Sequence, residues 1–186
     1  MRKLSIEELS RIDALTYRQY AHRDVVMVLD NVRSALNVGS VFRTADAFGI
    51  ERLYLCGITA TPPHREINKT ALGAQQSVAW EYFADTDTCL QHLKQKGFRI
   101  VVVEQTDQKI LLHEFIPQPQ TQYAFVFGNE ATGVSDSAIH LADLALEIPQ
   151  FGTKHSFNIA VTTGIVMWHY FLHKRQFFST QVQQTP

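Results

Sequence analysis

Val25-Val26-Met27-Val28-Leu29 is apolar without a break. A half-buried strand alternates apolar with polar residues, and a strand covered on both faces has no reason to. The run therefore predicts a strand inside a mostly parallel sheet. A polar turn follows. Val38, Val41, Ala45 and Phe48 then recur at spacings of three, four and three, with Gly49 placed to stop a helix. The alternation continues along the chain. Leu53 to Cys56 predicts the next strand, Val78 to Phe83 an extended segment, Asp85 to Lys96 a helix closed by Gly97, and Arg99 to Val103 another strand. Pro62 and Pro63 mark a loop, and Thr106 to Gln122, with Pro117 and Pro119, reads as mostly connection. Tyr123 to Phe127 and Leu144 to Ile148 predict strands flanking a loop and a short helix. The last helix is expected from Asn158 to Lys174, with Val161, Ile165, Trp168 and Leu172 on one face. The fold class this predicts is α/β, a mostly parallel sheet with helices on both faces.

Three parts are expected along the chain. Residues 1–24 form an N-terminal helical extension, in which Ser5 and Glu8 have capping-box spacing and Ile6, Leu9 and Ile12 recur on one face. Its basic residues Arg2, Lys3, Arg11, Arg18 and Arg23 suit a solvated helix or an RNA-facing one equally well. Residues 25–175 form the main domain, and residues 176–186 a polar, flexible tail. With 186 residues, 45% hydrophobic and 19% charged, the chain suits one well-buried domain. The formal net charge of −1 gives no general affinity for nucleic acid, so any such contact needs a local basic face. Cys56 and Cys89 are too few for a disulfide framework or a cysteine metal site, and Cys56 reads as a buried thiol. No signal-like stretch and no membrane-length apolar segment is visible, so a cytoplasmic protein is expected.

Ligands of parallel α/β sheets bind beyond the carboxyl ends of the strands. Three polar, glycine-containing segments stand there: 31–43, 127–133 and 148–158. Gly128 and Gly133 have the glycine spacing of a P-loop, but Val134 and Ser135 follow where Lys and Ser/Thr are required. The dinucleotide pattern G-x-G-x-x-G and the G-x-S-x-G elbow are absent. Of the eight histidines, His169 and His173 have helical i, i+4 spacing, which alone is no metal site, and none is expected.

Taken together the three segments resemble the SpoU family of RNA ribose 2′-O-methyltransferases, in the SPOUT superfamily. The first motif is Asn37-Val38-Gly39-Ser40 with Arg43-Thr44-Ala45-Asp46-Ala47-Phe48-Gly49. The second is Phe127-Gly128-Asn129-Glu130 with Gly133, and the third Ile148-Pro149, Gly152 and Ser156-Phe157-Asn158. The match runs in order from about Val25 to Trp168. It implies a C-terminal deep trefoil knot, which pattern reading alone would not propose. It also implies S-adenosylmethionine as cofactor, tRNA or rRNA as substrate, and a homodimer whose active site takes residues from both subunits.

The residue roles follow from that resemblance. Val103, Glu104, Gly128, Ile148, Ser156 and Asn158 are expected around the cofactor, with Gly128 letting the backbone approach it. Arg43, Glu130, Ser156, Asn158 and Asn37 form the expected catalytic set, and Arg33, Arg43, Lys154 and His155 the RNA contacts. Plainer readings stand beside these. Arg43 suits a surface ion pair to Asp46, Glu130 a helix-start carboxylate, Ser156 and Asn158 helix N-caps, and Val103 and Ile148 ordinary core. Arginine stays protonated in proteins, with a pKa above ~12, so Arg43 is a poor general base. Binding an RNA phosphate and stabilising an alkoxide suit it better. The alternatives to a ribose methyltransferase are an RNA-binding protein of the same fold that has lost catalysis, a methyltransferase acting on another RNA position, and an α/β enzyme of small nucleotides.

Overall fold

The computed structural model describes residues 1–5, 8–9 and 12–174. A seven-stranded sheet forms its centre, in the order β3-β2-β1-β6-β4-β7-β5, with every neighbouring pair parallel. The strands are β1 (Val25–Asp30), β2 (Arg52–Cys56), β3 (Ala79–Phe83), β4 (Phe98–Val103), β5 (Ile110–Leu111), β6 (Gln122–Phe127) and β7 (Leu144–Glu147). β1 is buried at every residue, which is what its unbroken apolar run requires. Val25, Met27 and Leu29 enter one core and Val26 and Val28 the other.

Helices α1 (Ala14–Tyr20), α2 (Ala35–Ala47), α3 (Arg65–Ala71), α4 (Ala74–Ser77) and α7 (Ile159–Lys174) contribute Tyr17, Val38, Val41, Ile67 and Met167 to the first core. Helices α5 (Thr86–Gln95) and α6 (Asp136–Leu141) cover the opposite face, where Cys89, Leu90, Leu93 and Ala138 pack with Val26, Val28 and Val126. Both expected layers are present, and Cys56 and Cys89 are buried thiols.

The structure corrects several details. α1 begins after Asp13, whose carboxylate accepts from the Leu15 and Thr16 amides, rather than near Ser5. The Ser5 amide does donate to Glu8 Oε2 at 2.8 Å, while Ile6 and Arg11 lie outside the described residues, as do 175–186 with the expected tail. The loop after Pro62 and Pro63 contains α3 and α4, which hydrophobic spacing did not reveal. The connection from Thr106 contains β5 and a short 3-10 turn, Leu112–Glu114. Gly39 lies inside α2 and not in a turn. A Cβ there would come within 2.2 Å of Thr70 Oγ1 and 2.4 Å of the Ile67 carbonyl oxygen. Its bareness lets α2 and α3 pack in direct contact.

Candidate active site at the carboxyl ends of the strands

The central strands end together, and their following loops are fastened to one another. β1 ends on Asp30, a buried carboxylate that accepts from the Thr86 hydroxyl at 2.5 Å, the Asn31 side-chain amide at 2.8 Å and the Ser135 amide at 2.8 Å. The loop after β6 closes on itself. Asn129 and Gly133 exchange backbone hydrogen bonds at 2.9 Å, and Asn129 Oδ1 accepts from the Ala131 amide at 2.8 Å. Gly128 is required by this closure, because a Cβ would lie 2.1 Å from both the Gly133 carbonyl carbon and the Val134 nitrogen. Its Cβ direction thus faces the loop's own backbone, while the residue itself lines the cleft described next. Gly133 has a φ of +72°, and a Cβ there would meet Glu104 Oε2 at 2.3 Å. That oxygen accepts the Val134 amide at 2.9 Å, so Glu104 ties the end of β4 to the same loop.

These loops enclose a cleft of about 470 Å³. Val103, Glu104, Gly128, Glu130, Ile148, His155, Ser156 and Asn158 all line it, so the expected cofactor residues come together from four separate stretches of chain. Phe127, Leu146 and Ile159 add apolar wall. Glu104, Glu130 and Glu147 line the cleft and neither lysine nor arginine does, although Lys109 pairs with Glu147 from outside the lining. Such a cleft disfavours a phosphate-rich ligand and suits a cationic one.

Glu130 is held in place by three donors. The Arg33 amide donates to Oε2 at 2.9 Å, and the Ser34 amide and Asn37 Nδ2 donate to Oε1 at 3.0 and 2.8 Å. Burial pushes its carboxyl up, but the hydrogen bonds from Arg33, Asn37 and Ser34 outweigh this and hold it below its ordinary range. Asn37 passes the link on, accepting from Asn158 Nδ2 at 3.2 Å. One carboxylate and two side-chain amides thereby join all three motif segments. Asn158 also caps α7, its Oδ1 accepting the Ala160 amide at 2.9 Å, as the plainer reading expected. The cap of α2 is Ser34, not Asn37.

Other expected residues stand apart. Arg43 does not line the cleft. It is exposed on α2, makes no ion pair to Asp46 or to any other described residue, and borders a separate open recess of about 600 Å³. Ser40, Thr44, Lys69 and Thr70 share that recess with Ala160, Val161 and Gly164 of α7. Lys69, on the unforeseen helix α3, escaped sequence reasoning, since nothing in the pattern marks a lone lysine after a proline loop. Arg33 and Lys154 are exposed and lie outside the cleft lining, while His155 is exposed within it.

Residues 24–168 match the family described as the SpoU rRNA Methylase family. The chain belongs to the SpoU family. Among known relatives, the SpoU chain is similar to the tRNA (guanosine(18)-2′-O)-methyltransferase of Aquifex aeolicus. It is 32% identical over 149 residues, covering 78% of this chain and 68% of that one. Its structure resembles the A. aeolicus TrmH/SpoU tRNA modifying enzyme with a TM-score of 0.77 at 25% identity, covering 88% of this chain and 83% of that one. It also resembles the AdoMet bound rRNA methyltransferase from Sinorhizobium meliloti, with a TM-score of 0.75 at 24% identity. There 84% of this chain matches 60% of the other. No helix among the described residues is long and apolar enough to cross a membrane.

Proposed function

We propose that this SpoU-family chain transfers a methyl group from S-adenosylmethionine to a ribose 2′-hydroxyl of tRNA or rRNA. The observation that carries this is the cleft at the strand ends, lined by the second and third motif segments and tied to the first through the hydrogen bonds of Asn37 to Glu130 and Asn158. Its residues fit the cofactor: apolar walls at Phe127, Leu146 and Ile148 accept an adenosine, and the carboxylates of Glu104 and Glu130, which form no ion pair with the described residues, complement a sulfonium. When bound, that sulfonium supplies a methyl group that needs no metal to activate it. Val103, Ile148 and the loop backbone around Gly128 hold the cofactor, with Ser156 and Asn158 beside it. Glu130, its oxygens already occupied, orients the loop and Asn37 rather than accepting a proton. Arg33, Lys154 and His155 contact the RNA backbone, and Arg43 binds the phosphate next to the reacting ribose and stabilises the developing alkoxide.

In one chain Arg43 and the cleft are separate, so the reading includes a homodimer in which the arginine of one protomer completes the cleft of its partner. The recess beside Arg43 runs onto α7, whose outward face carries Val161, Trp168 and Leu172 at 51%, 55% and 39% exposure. An apolar face of that kind suits an isologous interface. Light scattering at micromolar concentration should therefore return the mass of two chains, and Trp168→Glu the mass of one. A monomeric wild type would end the dimer reading. Phe177 and Phe178 lie outside the described residues. The reading further includes the C-terminal trefoil knot, with 148–158 as the threaded segment, supported by family membership. It keeps 1–24 as an extension to a methyltransferase domain of 25–175, and the cytoplasm as the compartment.

The decisive assay is tritiated methyl transfer to tRNA and rRNA pools lacking modification, followed by nucleoside mapping. Label is expected as a 2′-O-methylnucleoside. An oligonucleotide with deoxyribose at the mapped position should accept no methyl group, because the attacked atom is gone. Methylation of that deoxy substrate would place the target on a base, and no transfer to any pool would favour a binding protein.

A further inference from the structure

Between β7 and α7 the chain runs Phe151-Gly152-Thr153-Lys154-His155-Ser156-Phe157-Asn158, exposed at every residue. Phe151 is 98% exposed. Single apolar side chains on a surface are ordinary, so exposure alone says little. The position of this one says more. Gln150 before it and His155, Ser156 and Phe157 after it line the cleft, so Phe151 stands at the cleft mouth. The loop is held there from two sides, since the His155 carbonyl accepts from Gln105 Nε2 at 2.7 Å and from Gln150 Nε2 at 3.2 Å. Gly152, where a Cβ would meet nothing within 4 Å, leaves open space beside the ring. Lys154 and His155 follow within four residues, so an aromatic face and cationic donors share one short loop. The cleft wall itself carries carboxylates and no lysine or arginine, so a polyanion is drawn to this rim and not inward.

We propose that Phe151 is a stacking platform for an unpaired nucleobase of the RNA substrate, with Lys154 and His155 holding the phosphates beside it. A ribose in a regular helix presents its 2′-hydroxyl at the wide, shallow groove, and single-stranded bases are splayed out and stacked on aromatic side chains where proteins read them. Seating the reacting ribose over the cleft leaves its own base or its neighbour's at the rim, where Phe151 is the more exposed of two aromatic side chains and Phe157, at 42%, lines the cleft itself. The role is one of positioning, since Phe151 lines no part of the cleft itself. This inference rests on the methyltransferase reading above.

The test uses the full chain with S-adenosylhomocysteine bound and an RNA identified by the transfer assay, carrying 2-aminopurine at the methylated nucleotide or at either neighbour. Stacking quenches that fluorophore. Phe151→Ala should weaken RNA binding roughly tenfold or more, the range usual for one stacked base. It should abolish the quench at one of the three positions, raise KM far more than it lowers kcat, and leave S-adenosylhomocysteine affinity and oligomer mass unchanged. Phe151→Trp should restore both binding and quench, which a merely structural role for the loop would not predict. Unchanged RNA affinity in Phe151→Ala overturns the inference, and so does a fall in oligomer mass, which would mean that a second protein chain covers the ring. Wild-type protein that methylates RNA while Phe151→Ala matches it sinks the stacking role alone. Wild-type protein that methylates no RNA sinks the functional reading and this inference together.

Discussion

Replacing Arg43 by alanine lowers methyl transfer by about 100-fold or more and leaves the affinity for S-adenosylhomocysteine nearly intact. The size follows from the task assigned to the guanidinium, since removing one group that stabilises developing charge typically costs that much. The selectivity follows from the fold. Arg43 lies outside the cleft lining and makes no ion pair with the described residues, while Val38, Val41, Phe42 and Ala45 hold the other face of α2 in the core. Truncating an exposed side chain there leaves that packing untouched, so the melting temperature should not move. Arg43→Lys should recover part of the activity, because lysine keeps the charge but loses the planar fork that grips a phosphate with two parallel bonds. Isothermal titration and single-turnover methylation separate the two effects. If Arg43→Ala is fully active, the residue is surface decoration and the catalytic assignment falls, whatever becomes of the fold.

Gly128→Ala is expected to be nearly as damaging for a different reason. The added methyl would sit 2.1 Å from two backbone atoms of Gly133 and Val134, and no side-chain rotation relieves a clash with backbone. The loop has to open. Asn129 and Gly133 then lose their paired hydrogen bonds, and Glu130 loses its register with the amides of Arg33 and Ser34. Overpacking of this kind costs roughly 1–3 kcal/mol, which lowers the melting temperature by several degrees in a chain of this size. Cofactor affinity should fall by about tenfold or more, because the cleft wall itself moves. Gly152→Ala is the matched control, since a Cβ there meets nothing within 4 Å, and it should bind S-adenosylhomocysteine normally. Equal affinity and melting temperature in the two variants would show that the 128–133 loop does not close as described.

The strands were legible because burial on both faces leaves a mark that survives in a single sequence. Val25 to Leu29 has no polar residue, and β1 has no solvent face for one. α2 was legible for the complementary reason, its Val38, Val41 and Ala45 stripe meeting the core. α3 carries only Ile67 and Ala71 as buried residues and rests on the bare backbone at Gly39, so no periodicity announces it. That is why Lys69 went unnoticed. The three site segments were recognised as motifs in order; 127–133 and 148–158 line one cleft at the strand ends, and 31–43 is joined to it through Asn37. Their fastening was not legible. The Asn37–Glu130 and Asn158–Asn37 bonds span 93 and 121 residues, and no local pattern encodes which amide a distant carboxylate will find. Gly128 was singled out for the cofactor, and its packing against Gly133 and Val134, which also requires a glycine, left no mark in the local sequence.

The strand order carries a consequence for how the chain is made. β1 sits between β2 and β6, and its residues Val25 to Leu29 pair with Tyr123 to Phe127. While the ribosome has delivered only the segment through β3, β1, a strand buried at every residue in the finished fold, has one edge of unpaired amides and carbonyls open to any extended peptide nearby. Parallel pairing over so long a separation is slow to form, and such edges are where nascent chains stick together. Until β6 emerges, shielding that edge is work for a chaperone.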